Sequence, residues 1–541
     1  MEVYDYIIVG AGSAGCVLAA RLSENGRHKV LLLEAGPDDR RFWIQVPVGY
    51  GKSFYDRRVN WMYMTEAVPT LTGRPSYWPR GKLLGGSSSI NAMVYIRGQA
   101  EDYEDWEAAG NLGWGWDDVL PLYKRMESHA WGESAFHGGS GPLHVKAPST
   151  ELHSTCEDFL RACEEAGLHR NPDFNGASQE GAGTYHITVK DGLRMSAARA
   201  YLWPARKRAN LRIETGAEAE RIVFEGRRAV GIEYTRNGRK ATARAGAEVI
   251  LAAGAVNTPK LLLLSGIGPA EELRALGIDP VLDSPAVGRH LQDHFDVGLI
   301  YRTSVPTLNN QLHPWWGKLW AGMIFLLARR GPLALSLNQA GGFIRSRPGL
   351  TRPNMQLYFS PLSYLRAPPG TRPLMNPDPY AAFNISVSAC RPTSRGLLRL
   401  RSPDPKEPPA IHPNYLATDH DLQEVLEGLR FLRRLAETPT MRRLIVEQVR
   451  PYPEGDDDAS LLTYARGHGV TVFHPAGTCR MGPDRETCVV DHTLRVHGIQ
   501  SLRVADASIF PTLPSGNTNA PAILTGEKAS DLILHGVAPS L

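Results

Sequence analysis

The sequence has few cysteines, and none of them stands in a metal-binding pattern. Six occur in 541 residues, without a C-x-x-C pair or a Cys/His spacing typical of zinc. This pattern disfavours a disulfide framework and a structural zinc site, and it predicts reduced thiols, as in a cytoplasm. The six are Cys16, Cys156, Cys163, Cys390, Cys479 and Cys488.

The sequence shows neither an excess of charge nor the pattern of an N-terminal leader. The formal net charge is only +4, which gives no reason to expect a nucleic-acid partner. A strand-like run, Tyr4 to Val9, begins almost at once, and no basic and apolar leader precedes it. We therefore expect no signal peptide and a cytoplasmic protein.

No apolar run is long enough to span a bilayer. The most apolar stretch, Trp315 to Ala328, is short and is interrupted by Gly317 and Lys318. The sequence favours a helix packed in the core of a second domain. The alternative is a surface segment that touches lipid or lines a substrate entrance. A second domain is expected because single cores rarely exceed about 250–300 residues.

Residues 4–36 have the order strand, glycine turn, helix and strand. Gly10, Gly12 and Gly15 form a G-x-G-x-x-G pattern. The first glycine permits the turn, the second lets the main chain approach a pyrophosphate, and the third lets the helix pack on the strand. Glu34 ends the second strand, 24 residues after Gly10, where a carboxylate binds a ribose hydroxyl and disfavours a 2′-phosphate. The sequence therefore predicts FAD or NAD.

A second bare loop lies in Pro79 to Gly98, "PRGKLLGGSSSINAMVYIRG". The five residues Gly85 to Ser89 carry no side chain or a single hydroxyl. Such a loop is entropically costly to order, so we expect its backbone to lie against a ligand. A flexible hinge fits poorly because an apolar, ordered-looking segment follows directly. A long cofactor such as FAD, with its flavin far from its adenine, would need this second contact.

Four motifs resemble those of the glucose–methanol–choline (GMC) oxidoreductases. They are the N-terminal glycine pattern, "RGKLLGGSSSIN", "GAVNTPKLLLLSGIG", and a C-terminal "HPAGTCRMG … VADASIFP … GNTNAPAILTGEKA". The resemblance implies an α/β Rossmann-like FAD-binding domain and a substrate domain built on an antiparallel sheet. It assigns residues 1–150, 191–297 and 464–541 to FAD binding, and residues 151–190 and 298–463 to the substrate domain.

The resemblance also implies which residues hold the cofactor. It puts Ile90 where some members tether the flavin through a histidine, which predicts non-covalent FAD. The implied FAD contacts comprise the pyrophosphate loop, the ribose ligand, the loop facing the flavin, an adenine contact and a flavin-domain contact: Gly10, Gly12, Gly15, Glu34, Gly85, Gly86, Ser87, Asn91, Ala219, Asp506 and Ala507.

His474 and Asn519 are the candidate catalytic pair. Oxidation of an alcohol needs a base for the hydroxyl proton and a fixed hydroxyl oxygen, and histidine suits the first task. The resemblance places the active-site histidine at His474 and its partner at Asn519. Asn517 is then expected to cap the following helix, and an alternative is that both asparagines are caps.

The expected activity is FAD-dependent oxidation of an aliphatic or aryl primary alcohol to the aldehyde, as implied by the resemblance. Electrons would pass to a quinone or another acceptor, such as an artificial dye, with peripheral contact at the inner face of a membrane. Alternatives are an oxidase using O₂, a choline dehydrogenase, and a lyase of the hydroxynitrile type. The sequence does not place the aromatic cage and carboxylate that choline would need. "GRHLQDH", residues 288–294, contains two histidines but lacks a zinc pattern, so we expect no metal.

Overall fold

A computed structural model describes residues 2–148, 151–364 and 376–536. Within them, seven strands form a first sheet in which five strands run parallel and two join as an antiparallel meander. In spatial order the strands are Leu211–Thr215, Val30–Glu34, Val3–Val9, Arg239–Leu251, Arg228–Arg236 and Ala217–Glu225, with Leu502–Val504 also pairing with Arg239–Leu251.

The parallel part of this sheet confirms the α/β expectation for the N-terminus. Val30–Glu34 is buried along its whole length, as is typical of a strand covered on both faces. The helix Ser13–Leu22 follows the glycine turn and packs against the helix Asn519–Leu534. The C-terminal segment is thereby brought beside the first glycine loop.

The second sheet is antiparallel throughout and belongs to the other half of the molecule. Its described strands, in spatial order, are Ile445–Gln448, Phe295–Thr303, Ala382–Ala389, Met355–Ser360, Ala340–Ile344 and Gly181–Thr184, with Val470–Thr471 also pairing with Phe295–Thr303. One face packs on the helix Asp419–Ala436. Side chains of the other face line a cavity between the two sheets.

Shorter elements connect and cover the two sheets. The remaining described strands are Tyr63–Met64, Tyr77–Trp78, Glu127–His129, Leu143–Val145, Val189–Lys190, Leu193–Arg194, Ile267–Gly268, Leu282–Asp283, Leu397–Arg399 and Ala410–His412. The remaining helices are Phe42–Gln45, Tyr50–Ser53, Ala100–Ala108, Trp116–Met126, Thr155–Glu165, Trp203–Ala205, Gly254–Leu264, Ala270–Ala275, Leu308–Leu312, Trp315–Ala328, Pro439–Leu444 and Asp458–His468. Shorter 3₁₀ and π turns cover Pro47–Gly49, Pro69–Leu71, Gly86–Ser89, Ala198–Leu202, Pro332–Ala334 and Ala507–Ile509.

The domain limits stay predictions, and two strands of the second sheet do not follow them. The strand Phe295–Thr303 crosses the expected limit between residues 297 and 298. Val470–Thr471 pairs with it, although residues 464–541 were expected in the FAD-binding domain. The chain therefore passes between the two sheets close to the candidate histidine His474.

The apolar segment Trp315–Ala328 is a helix, but most of its large side chains are not in a core. Only Gly317, Ala321 and Phe325 are buried. Seven large apolar side chains are exposed, with Leu327 at 88%; the others are Trp315, Trp316, Leu319, Trp320, Met323 and Leu326. Among the described residues, no helix has the length and apolar character to cross a membrane.

Candidate active site and cofactor cradle

The two glycine-rich loops lie against each other. A Cβ added to Gly86 would lie 2.7 Å from the Cα of Gly12, and the N–H of Gly85 donates to Ala11 O at 2.7 Å. Gly86 has φ +52° and Gly85 has φ +87°, a region that favours glycine. The second loop is therefore bare partly because it must reach the first.

The first loop has the geometry that its glycines predict. Gly10 has φ +98°, and a Cβ there would lie 2.6 Å from Ala252 O. A Cβ on Gly15 would lie 1.9 Å from Gly10 O, so the helix could not pack so closely with any other residue. Gly12 precedes the first helical residue, Ser13, and leaves the helix N-terminus open to an anion.

Glu34 is buried beside this loop. Its two carboxylate oxygens accept from the N–H groups of Ala11 at 2.9 Å and Gly36 at 2.8 Å. Burial raises the pKa of Glu34 to about 7, against the lowering effect of these two bonds. Because Glu34 lines the cavity, each oxygen has a further lone pair available for a ribose hydroxyl.

The other expected cofactor residues also line this cavity or brace its wall. Asp506 accepts from the N–H of Gly254 at 2.8 Å and from Thr258 Oγ1 at 2.6 Å, and burial raises its pKa. Asn91 accepts from Arg194 Nη1 at 2.8 Å. Lining residues among the predicted set are Gly10, Gly12, Glu34, Gly86, Ser87, Asn91, Ala219, Asp506 and Ala507. Gly15 and Gly85 lie behind the residues that line the cavity.

The cavity fits a dinucleotide with a flavin. Its volume is about 690 Å³, and it runs from the glycine loops of the first sheet to the inner face of the second. Close backbone approach at Gly12 and Gly86, an open helix N-terminus and the Glu34 carboxylate match the pyrophosphate and ribose of FAD. Ile90, at the position of the expected tether, also lines the cavity.

His474 lies at the junction of the two sheets, just after Val470–Thr471. Its backbone N–H donates to Asp293 Oδ1 at 2.7 Å. The preceding Phe473 has φ +68°, an unfavourable conformation for an aromatic residue. Burial lowers the pKa of His474 well below its ordinary value, and the nearby His294 and Arg80 lower it further. The imidazole is therefore neutral at neutral pH and able to accept a proton.

The structure places Asn517, and not Asn519, beside His474. Asn517 Nδ2 lies 3.2 Å from His474 Nε2, whereas Asn519 Oδ1 accepts from Ser13 Oγ at 2.8 Å. Asn519 does not occupy the expected place because it is already the first residue of the helix Asn519–Leu534 and is bonded to Ser13 beside the glycine loop. Asn517 does not cap that helix, whose N-cap, Thr518, makes no side-chain capping bond.

His294 is a direct neighbour of His474 that the sequence analysis did not identify as part of this site. Its Nδ1 lies 2.9 Å from Nδ1 of His474, and its Nε2 lies 2.8 Å from Cys390 O. The motif "GRHLQDH" drew attention to this histidine only as a metal candidate. No cluster of metal-binding side chains occurs among the residues that the structure describes. Instead, His294 and His474 contact each other directly.

The chain matches a known protein family over most of its length. Two models of GMC oxidoreductases match residues 4–296 and 392–526. The chain belongs to the GMC oxidoreductase family. It is 41% identical to mitochondrial choline dehydrogenase of Mus musculus, covering 98% of this chain and 89% of the mouse protein. It is also 41% identical to "Alcohol dehydrogenase [acceptor]" of Pseudomonas putida, covering 99% and 96%.

Solved structures of this GMC oxidoreductase's relatives share its architecture. The crystal structure of pyridoxine 4-oxidase from Mesorbium loti superposes with a TM-score of 0.88 at 31% identity, covering 99% of this chain and 100% of that one. Formate oxidase gives a TM-score of 0.90 at 27% identity, covering 98% of both chains. The fold class expected from the sequence is confirmed, and the chain is a flavin oxidoreductase acting on alcohols.

Proposed function

We propose that this GMC oxidoreductase oxidises a primary aliphatic or aryl alcohol to the aldehyde, with His474 as the general base. The observation that carries the proposal is the pair formed by His474 Nε2 and Asn517 Nδ2, 3.2 Å apart, on the wall of the cofactor cavity. Such a pair offers one proton acceptor and one hydrogen-bond donor to the same small region. An alcohol oxygen needs both as it becomes an alkoxide.

The chemistry of the pair follows from its protonation states. His474 is neutral and takes the hydroxyl proton at Nε2. Asn517 donates a hydrogen bond to the alcohol oxygen, and the protonated His474 then stabilises its developing negative charge. FAD, when bound, supplies the hydride acceptor for the hydrogen on the alcohol carbon. We extend the proposal to non-covalent FAD, because Ile90 offers no nucleophile for a tether.

The electron acceptor is proposed to be a quinone or another external acceptor. The exposed apolar face of Trp315–Ala328 supports contact with a membrane that would hold a quinone. Lys318, Arg329 and Arg330 are exposed on or directly after this helix, and the helix contains no acidic residue. Tryptophan-rich apolar faces with flanking cations are typical of helices that bind an anionic bilayer surface. A cytoplasmic location, peripheral at the inner face, remains the corresponding prediction.

Choline is a second candidate substrate, and Asp296 favours it. This residue follows His294 by two positions and lines the cavity with Tyr358 and Tyr464. A carboxylate and aromatic rings that line one cavity suit a quaternary ammonium group. The 41% identity to choline dehydrogenase supports choline to the same degree as the equal identity to the P. putida enzyme supports other alcohols.

Anaerobic titration of the purified flavoprotein separates these functions. The panel is a medium-chain primary alcohol, an aryl alcohol, choline and glucose, and the observable is bleaching of the visible flavin band. Bleaching by the medium-chain or aryl alcohol is the expected result, and bleaching by choline alone would transfer the proposal to the second candidate. Re-oxidation on admission of air would indicate an oxidase. A flavin left oxidised by every alcohol would contradict the proposed activity and favour the lyase alternative.

A further inference from the structure

Two hydrogen-bond chains connect the active-site pair to main-chain carbonyl groups. The first runs from Cys390 O to His294 Nε2 at 2.8 Å, and from His294 Nδ1 to His474 Nδ1 at 2.9 Å. All three groups are buried. Of these three groups, only the Cys390 carbonyl has a fixed hydrogen-bonding role, since a carbonyl oxygen accepts and never donates.

The fixed end determines the tautomer of each histidine. Because Cys390 O accepts, Nε2 of His294 carries a hydrogen. Burial lowers the pKa of His294 to about 4, so this ring is neutral and its Nδ1 is an acceptor. His474 must then donate from Nδ1, which leaves Nε2 of the neutral ring without a hydrogen. That bare nitrogen faces Asn517.

The second chain determines which way the Asn517 amide faces. Tyr185 OH donates to Leu357 O, so it accepts from Gln356 Nε2 at 3.2 Å. The same Gln356 Nε2 donates its other hydrogen to Asn517 Oδ1 at 3.2 Å. The amide nitrogen of Asn517 is therefore directed to His474. This chain also begins at a carbonyl, on a strand of the second sheet.

We propose that His294 and Gln356 are positioning residues that set the polarity of the active-site pair before the substrate binds. His294 holds His474 with an unprotonated Nε2, and Gln356 holds Asn517 with its NH₂ group toward the same point. The inference rests on the proposed function of His474 as the base. Without His294, the His474 ring is free to protonate Nε2 instead of Nδ1, and in that tautomer it accepts no proton from the alcohol.

Nitrogen NMR of the holoenzyme labelled with ¹⁵N-histidine tests the tautomer without any substrate. The His474 signals are those absent from His474→Gln. We expect wild-type Nε2 to have the shift of an unprotonated nitrogen at neutral pH, and His294→Ala to show averaging between the tautomers. A wild-type Nε2 that carries a hydrogen would overturn the proposal.

Stopped-flow flavin reduction tests the consequence for the reaction. His294→Ala is expected to reduce the limiting rate by about 10- to 100-fold. His294→Asn, whose Oδ1 can replace the accepting Nδ1, should restore most of this loss. Leu291→Ala is the matched control: it is equally buried in the same segment but belongs to neither chain. A wild-type rate in His294→Ala, or no recovery in His294→Asn, would contradict the proposal.

Gln356→Met tests the second chain, because it preserves size and removes the donor. We expect a loss of about 2- to 10-fold in the limiting rate at unchanged FAD content; an unchanged rate would contradict the role of Gln356. If no alcohol reduces even the wild-type flavin, the proposed function fails, while the NMR result still decides whether His294 fixes the tautomer. If His294→Ala does not fold, the wild-type spectrum decides alone.

Discussion

Asn517 Nδ2 lies 3.2 Å from His474 Nε2, and this contact brings together a residue of the C-terminal loop and the residue that follows the strand Val470–Thr471. Asn519, two positions along, bonds instead to Ser13 beside the first glycine loop. The two asparagines therefore serve different parts of one cavity. Asn517 faces His474, and Asn519 links the C-terminal helix to the first glycine loop.

Substitution separates these two roles. Asn517→Ala should slow flavin reduction by about 10-fold or more, because the alkoxide loses a donor, while the FAD content is unchanged. Asn519→Ala should weaken FAD retention or lower the melting temperature, with a smaller effect on the reduction rate. Stopped-flow spectroscopy and the flavin-to-protein absorbance ratio measure both. A larger rate loss in Asn519→Ala, at full FAD content, would return the catalytic role to Asn519.

Removal of the proposed base, His474, should have the largest effect on the chemical step. His474→Ala is expected to reduce the rate of flavin reduction by about 10²-fold or more with FAD still bound. The wild-type rate should be constant across neutral pH and fall only at acidic pH, because burial lowers the pKa of His474 well below its ordinary value. A wild-type-like rate in His474→Ala would remove this residue from the mechanism.

The contact between the glycine loops predicts a cofactor defect. Gly86→Ala places a methyl group 2.7 Å from the Cα of Gly12 at a positive φ, so one loop must move away from the other. We expect FAD content to fall well below that of the wild type, measured by absorbance after gel filtration. Gly26→Ala is the matched control, since Gly26 has φ +73° but no atom within 4 Å of an added Cβ. Equal FAD content in both variants would contradict the argument.

The cofactor cradle was predictable from the sequence because its signal is local. Gly10, Gly12 and Gly15 need special backbone geometry at fixed spacing, and Glu34 ends the adjacent strand. These features follow from a single strand–helix–strand unit. The second loop was recognisable as bare, but its contact with Gly12 joins two turns far apart in the chain, which composition does not show.

The contact between His474 and Asn517 was only partly predictable. Asn517 and Asn519 differ by two positions in a turn that includes Gly516 at φ +120°, so their directions depend on a backbone path that spacing alone does not define. His294 is 180 residues from His474, and the contact exists because the chain crosses between the two sheets there. Long-range contacts of this kind arise from the packing of the sheets.

A buried ion cluster away from the cavity predicts a pH-dependent stability. His137 Nδ1 lies 2.7 Å from Glu127 Oε1, and its Nε2 lies 2.8 Å from Asp173 Oδ2; His129 stacks on it and His186 lies next to His129. Against the lowering effect of burial, the two carboxylates raise the pKa of His137 to about 9. The folded protein therefore binds a proton at His137 more tightly than the unfolded chain does. Protonated His137 stabilises the fold fully below about pH 6.5, and this stabilisation is lost as the pH rises through about 9.

His137→Gln should therefore lower the melting temperature more at pH 6 than at pH 9.5. The loss at pH 6 is expected to be roughly 1–3 kcal/mol of unfolding free energy, and differential scanning calorimetry at several pH values measures the trend. His169→Gln, on an exposed histidine, corrects for the general effect of removing a histidine. A difference between variant and wild type that is constant from pH 6 to pH 9.5 would exclude the charged His137.

The exposed face of Trp315–Ala328 predicts binding to anionic lipid vesicles. Trp316 and Trp320 are 60% and 61% exposed, and the exposed Lys318 stands between them in the sequence. The helix packs with Phe325 and Ala321 against residues such as Leu337 and Leu362, which also line the cavity. A membrane held at this face would therefore lie close to the wall of the substrate site.

Flotation with vesicles containing phosphatidylglycerol measures this binding. The wild-type protein should float with these vesicles, less so with neutral ones and less at high salt, because both apolar burial and cations contribute. The double substitution Trp316→Ser and Trp320→Ser should weaken binding by about 10-fold or more, whereas Trp131→Ser, which removes a tryptophan exposed elsewhere, should not.

Flavin reduction by a water-soluble alcohol should be equal in all three proteins, since none of these tryptophans lines the cavity. If the wild type does not float, or if the double variant floats equally well, the helix is not a lipid-binding surface and the quinone proposal loses its structural support.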